Sequence, residues 1–125
     1  MNAMKENIIA DKSKLFALRI IKLYRYLCDE KKEYILSKQL LRSGTSIGAN
    51  IREALYGQST ADFYAKLTIS LKEAAETGYW LELLHESRYL SDKSFESVNS
   101  DCIELIKLLT AITKSLKNQK DEPTF

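Results

Sequence analysis

Leu40-Leu41-Arg42-Ser43-Gly44-Thr45-Ser46-Ile47-Gly48-Ala49-Asn50-Ile51-Arg52-Glu53-Ala54 is crowded with small residues, yet its apolar positions keep a helical rhythm. Leu36, Leu40, Ile47, Ile51, Ala54 and Leu55 recur at the spacing of one helix face. A helix with glycine on that face gives up roughly 0.5–1 kcal/mol per glycine relative to alanine. Close packing against a neighbour must therefore need the space at Gly44 and Gly48, so the segment points to a tightly packed helical assembly.

Outward from this segment the same rhythm continues. A first helix is expected over 11–31, with Asp11 or Ser13 as N-cap and Phe16, Ile20, Leu23, Tyr24 and Leu27 on one face. The second covers 34–56, and Gly57 suits its C-terminal stop. Ser59-Thr60-Ala61-Asp62 opens a third over 60–89, with Phe63, Leu67, Leu71, Ala74, Gly78 and Leu81 as its stripe. Ser91-Asp92 caps a fourth over 92–117, which carries Phe95, Val98, Cys102, Leu105, Leu109, Ile112 and Leu116. Residues 118–125 read as a disordered tail. Four such helices with short connections predict an all-α, antiparallel up-down-up-down four-helix bundle, one domain over 1–125.

Composition agrees. The chain of 125 residues has one proline and four glycines, little material for turns. No run of about 18 apolar residues occurs, so no membrane span is expected, and the first residues lack the apolar core of a signal peptide. A cytoplasmic protein is the expectation, with Cys28 and Cys102 as buried thiols. The net charge of +2 hides an asymmetry. Residues 1–52 hold 11 Lys and Arg against 5 Asp and Glu, a balance of +6, and residues 53–125 hold 8 against 12, a balance of −4. Such a chain could pair with itself or present one face to an anionic partner.

Catalytic patterns fail on context. Gly44-Thr45-Ser46-Ile47-Gly48 matches G-x-S-x-G, but a nucleophile elbow needs a strand, a sharp turn and then a helix. Here one helical face runs through the motif. Glu82-x-x-His85 resembles half of a di-iron site, yet His85 is the sole histidine, and Glu73 and Glu76 have no second imidazole to join. No glycine-rich phosphate loop is present. The sequence calls for no catalytic residue, no cofactor and no metal.

Surfaces say more. On the second helix Lys38, Arg42, Thr45, Ala49 and Arg52 lie opposite the apolar face; on the first, Lys14, Lys22, Arg25 and Lys32 do so, mixed with Leu18 and Ile21. Small residues between the charges would let a phosphate backbone or a neighbouring helix come close. The bland alternative is a solvated face. The third helix sets Ile69 and Trp80 beside Asp62, Glu73 and Glu76. Leu18, Ile21, Ile69, Glu73, Glu76 and Trp80 are thus candidate interface residues of a homo-oligomer, and complementary patches joined head to tail close into a ring. Trp80 filling the edge of the bundle core is the competing reading.

Two blocks also carry a resemblance. Leu41 to Ala54, and Asp62-Phe63-Tyr64-Ala65-Lys66-Leu67 continuing to Leu71-Lys72-Glu73-Ala74-Ala75-Glu76-Thr77-Gly78-Tyr79-Trp80-Leu81, resemble the signature of the four-helix-bundle proteins encoded in bacterial 23S rRNA intervening sequences. That resemblance implies an antiparallel bundle, pentameric rings and no established enzymatic activity. A related group, the accessory variability determinants of diversity-generating retroelements, binds nucleic acid and a reverse transcriptase as a basic pentamer. The kinship suggests RNA or other nucleic acid as partner, through Lys38, Arg42, Arg52 and the basic residues of the first helix. A structural adaptor for a protein partner is the alternative.

Overall fold

The computed structural model describes residues 3–121, with side chains from 6 to 118. Four helices follow one another: α1 (Ala3–Asp29), α2 (Leu36–Leu55), α3 (Thr60–Glu86) and α4 (Asp92–Asp121). Each packs on the next and α4 returns to α1, whereas the backbones of α1 and α3, or of α2 and α4, do not approach one another closely among the described residues. This is the square of an up-down-up-down bundle. The α1–α4 seam is the thinnest of the four.

Several boundaries shift from the sequence reading. Asp11 and Ser13 are not caps: α1 begins at Ala3, and fully buried Ile9 extends the apolar stripe about two turns upstream of Phe16. Residues 118–121 continue α4 rather than forming a tail, and 122–125 lie outside the described residues. Leu55 turns out exposed at the end of α2. Gly57 follows the C-cap Tyr56 and donates its N–H to Ala54 O at 3.0 Å, without adopting a left-handed conformation. Ser59 caps α3 by accepting from Asp62 N–H at 3.1 Å, and Ser91 does the same for Ser94 at the head of α4.

The start of α2 is built differently. Its N-cap position, Ile35, makes no capping bond. Glu33, just outside the helix, folds its carboxylate over the first turn instead. Oε1 accepts from Ile35 N–H (3.1 Å) and Leu36 N–H (2.8 Å), and Oε2 accepts from Ser37 N–H (2.8 Å). Burial works against the ionised form, but the N–H groups of Leu36, Ser37 and Ile35 outweigh it and hold the carboxyl below its ordinary pKa.

The core explains the small residues. At Gly44 an added Cβ would lie 2.8 and 2.9 Å from two side-chain carbons of Ile20, itself fully buried. At Gly48 it would lie 3.2 Å from Ser13 Oγ. The two glycines therefore set how closely α1 and α2 approach. Between α2 and α3, buried hydroxyls take over: Ser70 donates to Ile47 O at 2.8 Å, and Thr77 is hydrogen-bonded to Ser43 at 3.0 Å. On the α4 side the Cys102 thiol donates to Ala74 O at 3.3 Å, and burial pushes its pKa up to about 12. Cys28 is only half-buried.

Three substitutions have expected effects on stability. At Gly78 the nearest atom to an added Cβ is Cys102 Sγ at 3.9 Å, ordinary contact. Gly78→Ala should therefore stabilise by about 0.5–1 kcal/mol through helix propensity. Gly44→Ala makes the same gain but overpacks Ile20 at about 1–3 kcal/mol, so it should be the less stable protein in urea unfolding. Equal stabilisation by both would mean that Gly44 is not holding space. Glu33→Ala should cost about 1 kcal/mol at neutral pH. Because the folded-state pKa of Glu33 is lowered, its contribution is complete above the ordinary value of 4.5 and is lost as the pH falls from there through the folded-state value. Urea midpoints of wild type and Glu33→Ala should accordingly converge on acidification.

Candidate nucleic-acid interface

The close approach of α1 and α2 leaves a groove of about 690 Å³ along their outer edge. Ala10, Ser13 and Ala17 from α1, with Thr45, Gly48 and Ala49 from α2, give it small-residue walls. Lys14 on α1 and Arg52 on α2 line it from opposite sides, and Leu55 and Tyr56 lie at one end. Thr45 turns its hydroxyl back to Leu41 O at 2.7 Å, so it adds little polarity of its own. Sequence periodicity had placed Lys14 and Arg52 on separate helices; packing brings them to one groove.

The other candidate cations divide into free and engaged. Lys22 and Arg25 are exposed on α1 around exposed Leu18, and Lys38 is exposed near the start of α2. Lys32 sits in the α1–α2 connection in the left-handed region, at φ 54°. Among the described residues none of Lys14, Lys22, Arg25, Lys32, Lys38 and Arg52 forms an ion pair. Arg42 differs. Its guanidinium reaches across to α3, with Nη1 3.3 Å from Glu73 Oε2 and Nη2 on Glu76. Trp80 Nε1 donates to the same Glu76 oxygen at 3.2 Å. The packing thus joins one proposed nucleic-acid contact to three proposed interface residues, in a cluster within one subunit. Trp80 is half-buried and rests against the core, whereas Ile69 is exposed and Ile21 half-buried.

Much of the charge asymmetry along the chain is spent internally. Lys12 pairs with Glu104 at 3.0 Å, and Arg19 with Asp101 at 2.7 Å and with the carbonyl and hydroxyl of Ser97, closing the α1–α4 seam. Periodicity could have found this clasp, since Lys12 and Arg19 lie seven apart and Asp101 and Glu104 three apart, each pair on one stripe. These are exposed pairs, each worth about 0–1 kcal/mol. What they do is remove Lys12, Arg19 and Arg42 from the pool of unneutralised cations, leaving the basic surface concentrated on α1 and α2.

The chemistry-bearing motifs resolve into structure. The helix runs unbroken through Gly44 and Gly48, and Ser46 Oγ donates to Arg42 O at 2.6 Å. His85 Nε2 lies 2.7 Å from Asp92 Oδ1, with its ring stacked on Phe95 at 4.1 Å. Among the described residues no three His, Cys, Asp or Glu side chains gather as metal ligands, and no helix is long and apolar enough to cross a membrane.

Comparison with known proteins agrees with this architecture. A protein of unknown function from the S23 ribosomal protein family of Bacteroides thetaiotaomicron, known from its crystal structure, is 57% identical, with a TM-score of 0.87. The similarity covers 88% of this chain and 98% of that one. No curated protein matches the chain. The 23S rRNA-intervening sequence protein family matches over residues 5–111, nearly the whole bundle. With both signature blocks inside that span and the four-helix square observed, the chain belongs to the 23S rRNA-intervening sequence protein family.

Proposed function

We propose that this protein is a non-enzymatic, oligomeric RNA-binding bundle of the cytoplasm. The observation that carries the reading is the α1–α2 groove. Lys14 and Arg52 flank it without counter-ions, and its small-residue walls let a phosphate backbone come close to both. Lys22, Arg25, Lys32 and Lys38 extend the same basic surface, while Arg42, held by Glu73 and Glu76, contributes less. RNA as the class of nucleic acid rests on the family resemblance described above. A balance of +2 per chain is modest, but identical subunits in a ring repeat the groove and add their contacts through multivalency. For the assembly we propose a head-to-tail ring, five copies by family resemblance, joined through the apolar positions Leu18 and Ile21 and the acidic-aromatic edge of Ile69, Glu73, Glu76 and Trp80.

Two measurements test these statements. Lys14→Glu with Arg52→Glu should lower affinity for a structured RNA by about tenfold or more and flatten its salt dependence, with the helical circular dichroism unchanged. Arg42→Ala should weaken binding much less. Equal RNA retention by wild type and the double variant sinks the groove assignment. By light scattering the wild type should be a closed oligomer, and Leu18→Glu or Ile69→Glu, both at exposed positions, should shift it toward monomer. A wild-type monomer at micromolar concentration contradicts the ring. An oligomer that retains no RNA would instead favour an adaptor role, for which exposed Ile35 and Tyr56 offer contact area.

A further inference from the structure

A second opening lies at the end of the bundle that carries both the α1–α2 and the α3–α4 connection. Between the end of α1 and the α3–α4 turn is a cavity of about 670 Å³. Tyr26 and Tyr89 line it together with Lys31 and Arg88. Tyr26 is 43% exposed, so its ring is available to a ligand.

The backbone at this end carries a cost that the fold does not require. Helix α3 closes with Arg88 N–H donating to His85 O at 3.0 Å and Tyr89 N–H donating to Leu84 O at 2.8 Å. In this capping motif the left-handed position is ordinarily glycine, because a Cβ there crowds the next carbonyl. Arg88 occupies it at φ 69°. At the same end Lys32 holds φ 54° at the close of α1. Of the two, only Arg88 lines the cavity, so one long cation stands there at a position where glycine would be free of strain, and strain of this kind concentrates where a side chain is needed for a task.

The acidic groups at the cavity fit the same picture. Asp92, 2.7 Å from His85 Nε2, keeps its carboxylate charge, so with Glu86 it balances Lys31 and Arg88 over the lining as a whole. Glu86 is a carboxylate able to accept from the exocyclic amino group of a base. Tyrosine faces, two cations and one acceptor are what an extruded nucleotide uses: stacking for the ring, cations for the phosphate, an acceptor for the base edge. A base inside a duplex offers none of its faces.

We propose that this cavity takes an unpaired nucleotide of the bound RNA, its ring against the tyrosines and its phosphate at Arg88 and Lys31. The proposal rests on the RNA-binding reading above and adds a preference for single-stranded loops that the α1–α2 groove would not supply.

The test compares a stem–loop RNA that has an unpaired loop with a continuous duplex of matched length. Wild type should bind the stem–loop about tenfold tighter, the scale of one base–aromatic stack. Arg88→Gly should erase most of that preference while raising the thermal midpoint, which separates lost affinity from lost fold. Tyr26→Ala should also erase it, leaving duplex affinity unchanged. Lys14→Glu with Arg52→Glu should weaken both RNAs and keep their ratio. A wild-type ratio near one, or a ratio indifferent to Arg88→Gly and Tyr26→Ala, overturns the nucleotide site while leaving the groove intact. If wild type binds neither RNA, the RNA reading falls and this site falls with it.

Discussion

Everything in this bundle hangs on how near α1 and α2 can come to each other. Gly44 lies against the branched side chain of Ile20 and Gly48 against Ser13, distances that no side chain at either glycine would permit without something giving way. That approach buries Ile20, Ile47 and Ile51 completely. It also fixes the outer edge of the pair as a shallow groove, because the residues that let the helices close are too small to fill it. A core requirement has produced a surface feature, and the cations beside it acquire their setting from packing.

The fold was legible because its determinants are local and periodic. Core stripes at three- and four-residue steps, and capping serines before α3 and α4, are written in consecutive residues. The start of α2 was harder to see, because Glu33 caps from outside the helix and a glutamate there looks like any loop acid. The start of α1 was missed for a different reason: Ser13 resembles a cap but is a buried small residue receiving Gly48. In sequence those two roles look alike.

The candidate surface was legible only in part. Helical wheels located the basic faces of α1 and α2 but could not say which cations meet an acid on a neighbouring helix. Arg42 looked as free as Arg52, and only the α2–α3 packing distinguishes them. The same holds for the contrast between a basic N-terminal half and an acidic C-terminal half. A pattern that suggested partners outside the subunit is answered in part inside it, by Lys12, Arg19 and Arg42 on one side and Glu73, Glu76, Asp101 and Glu104 on the other.

The hydroxyl bonds between α2 and α3 have a mechanical side. Sliding one helix along the other would break the Ser70 bond to Ile47 O inside the core, whereas Thr77 would keep its bond to Glu73 O on its own helix, and a buried hydroxyl that loses its partner is expensive. The α1–α4 seam is closed instead by exposed ion pairs, which water can replace at little cost. The bundle therefore has a stiff flank and a compliant one. Breathing motions should open along α1–α4, leaving the closely packed α1–α2 and α2–α3 pairs together.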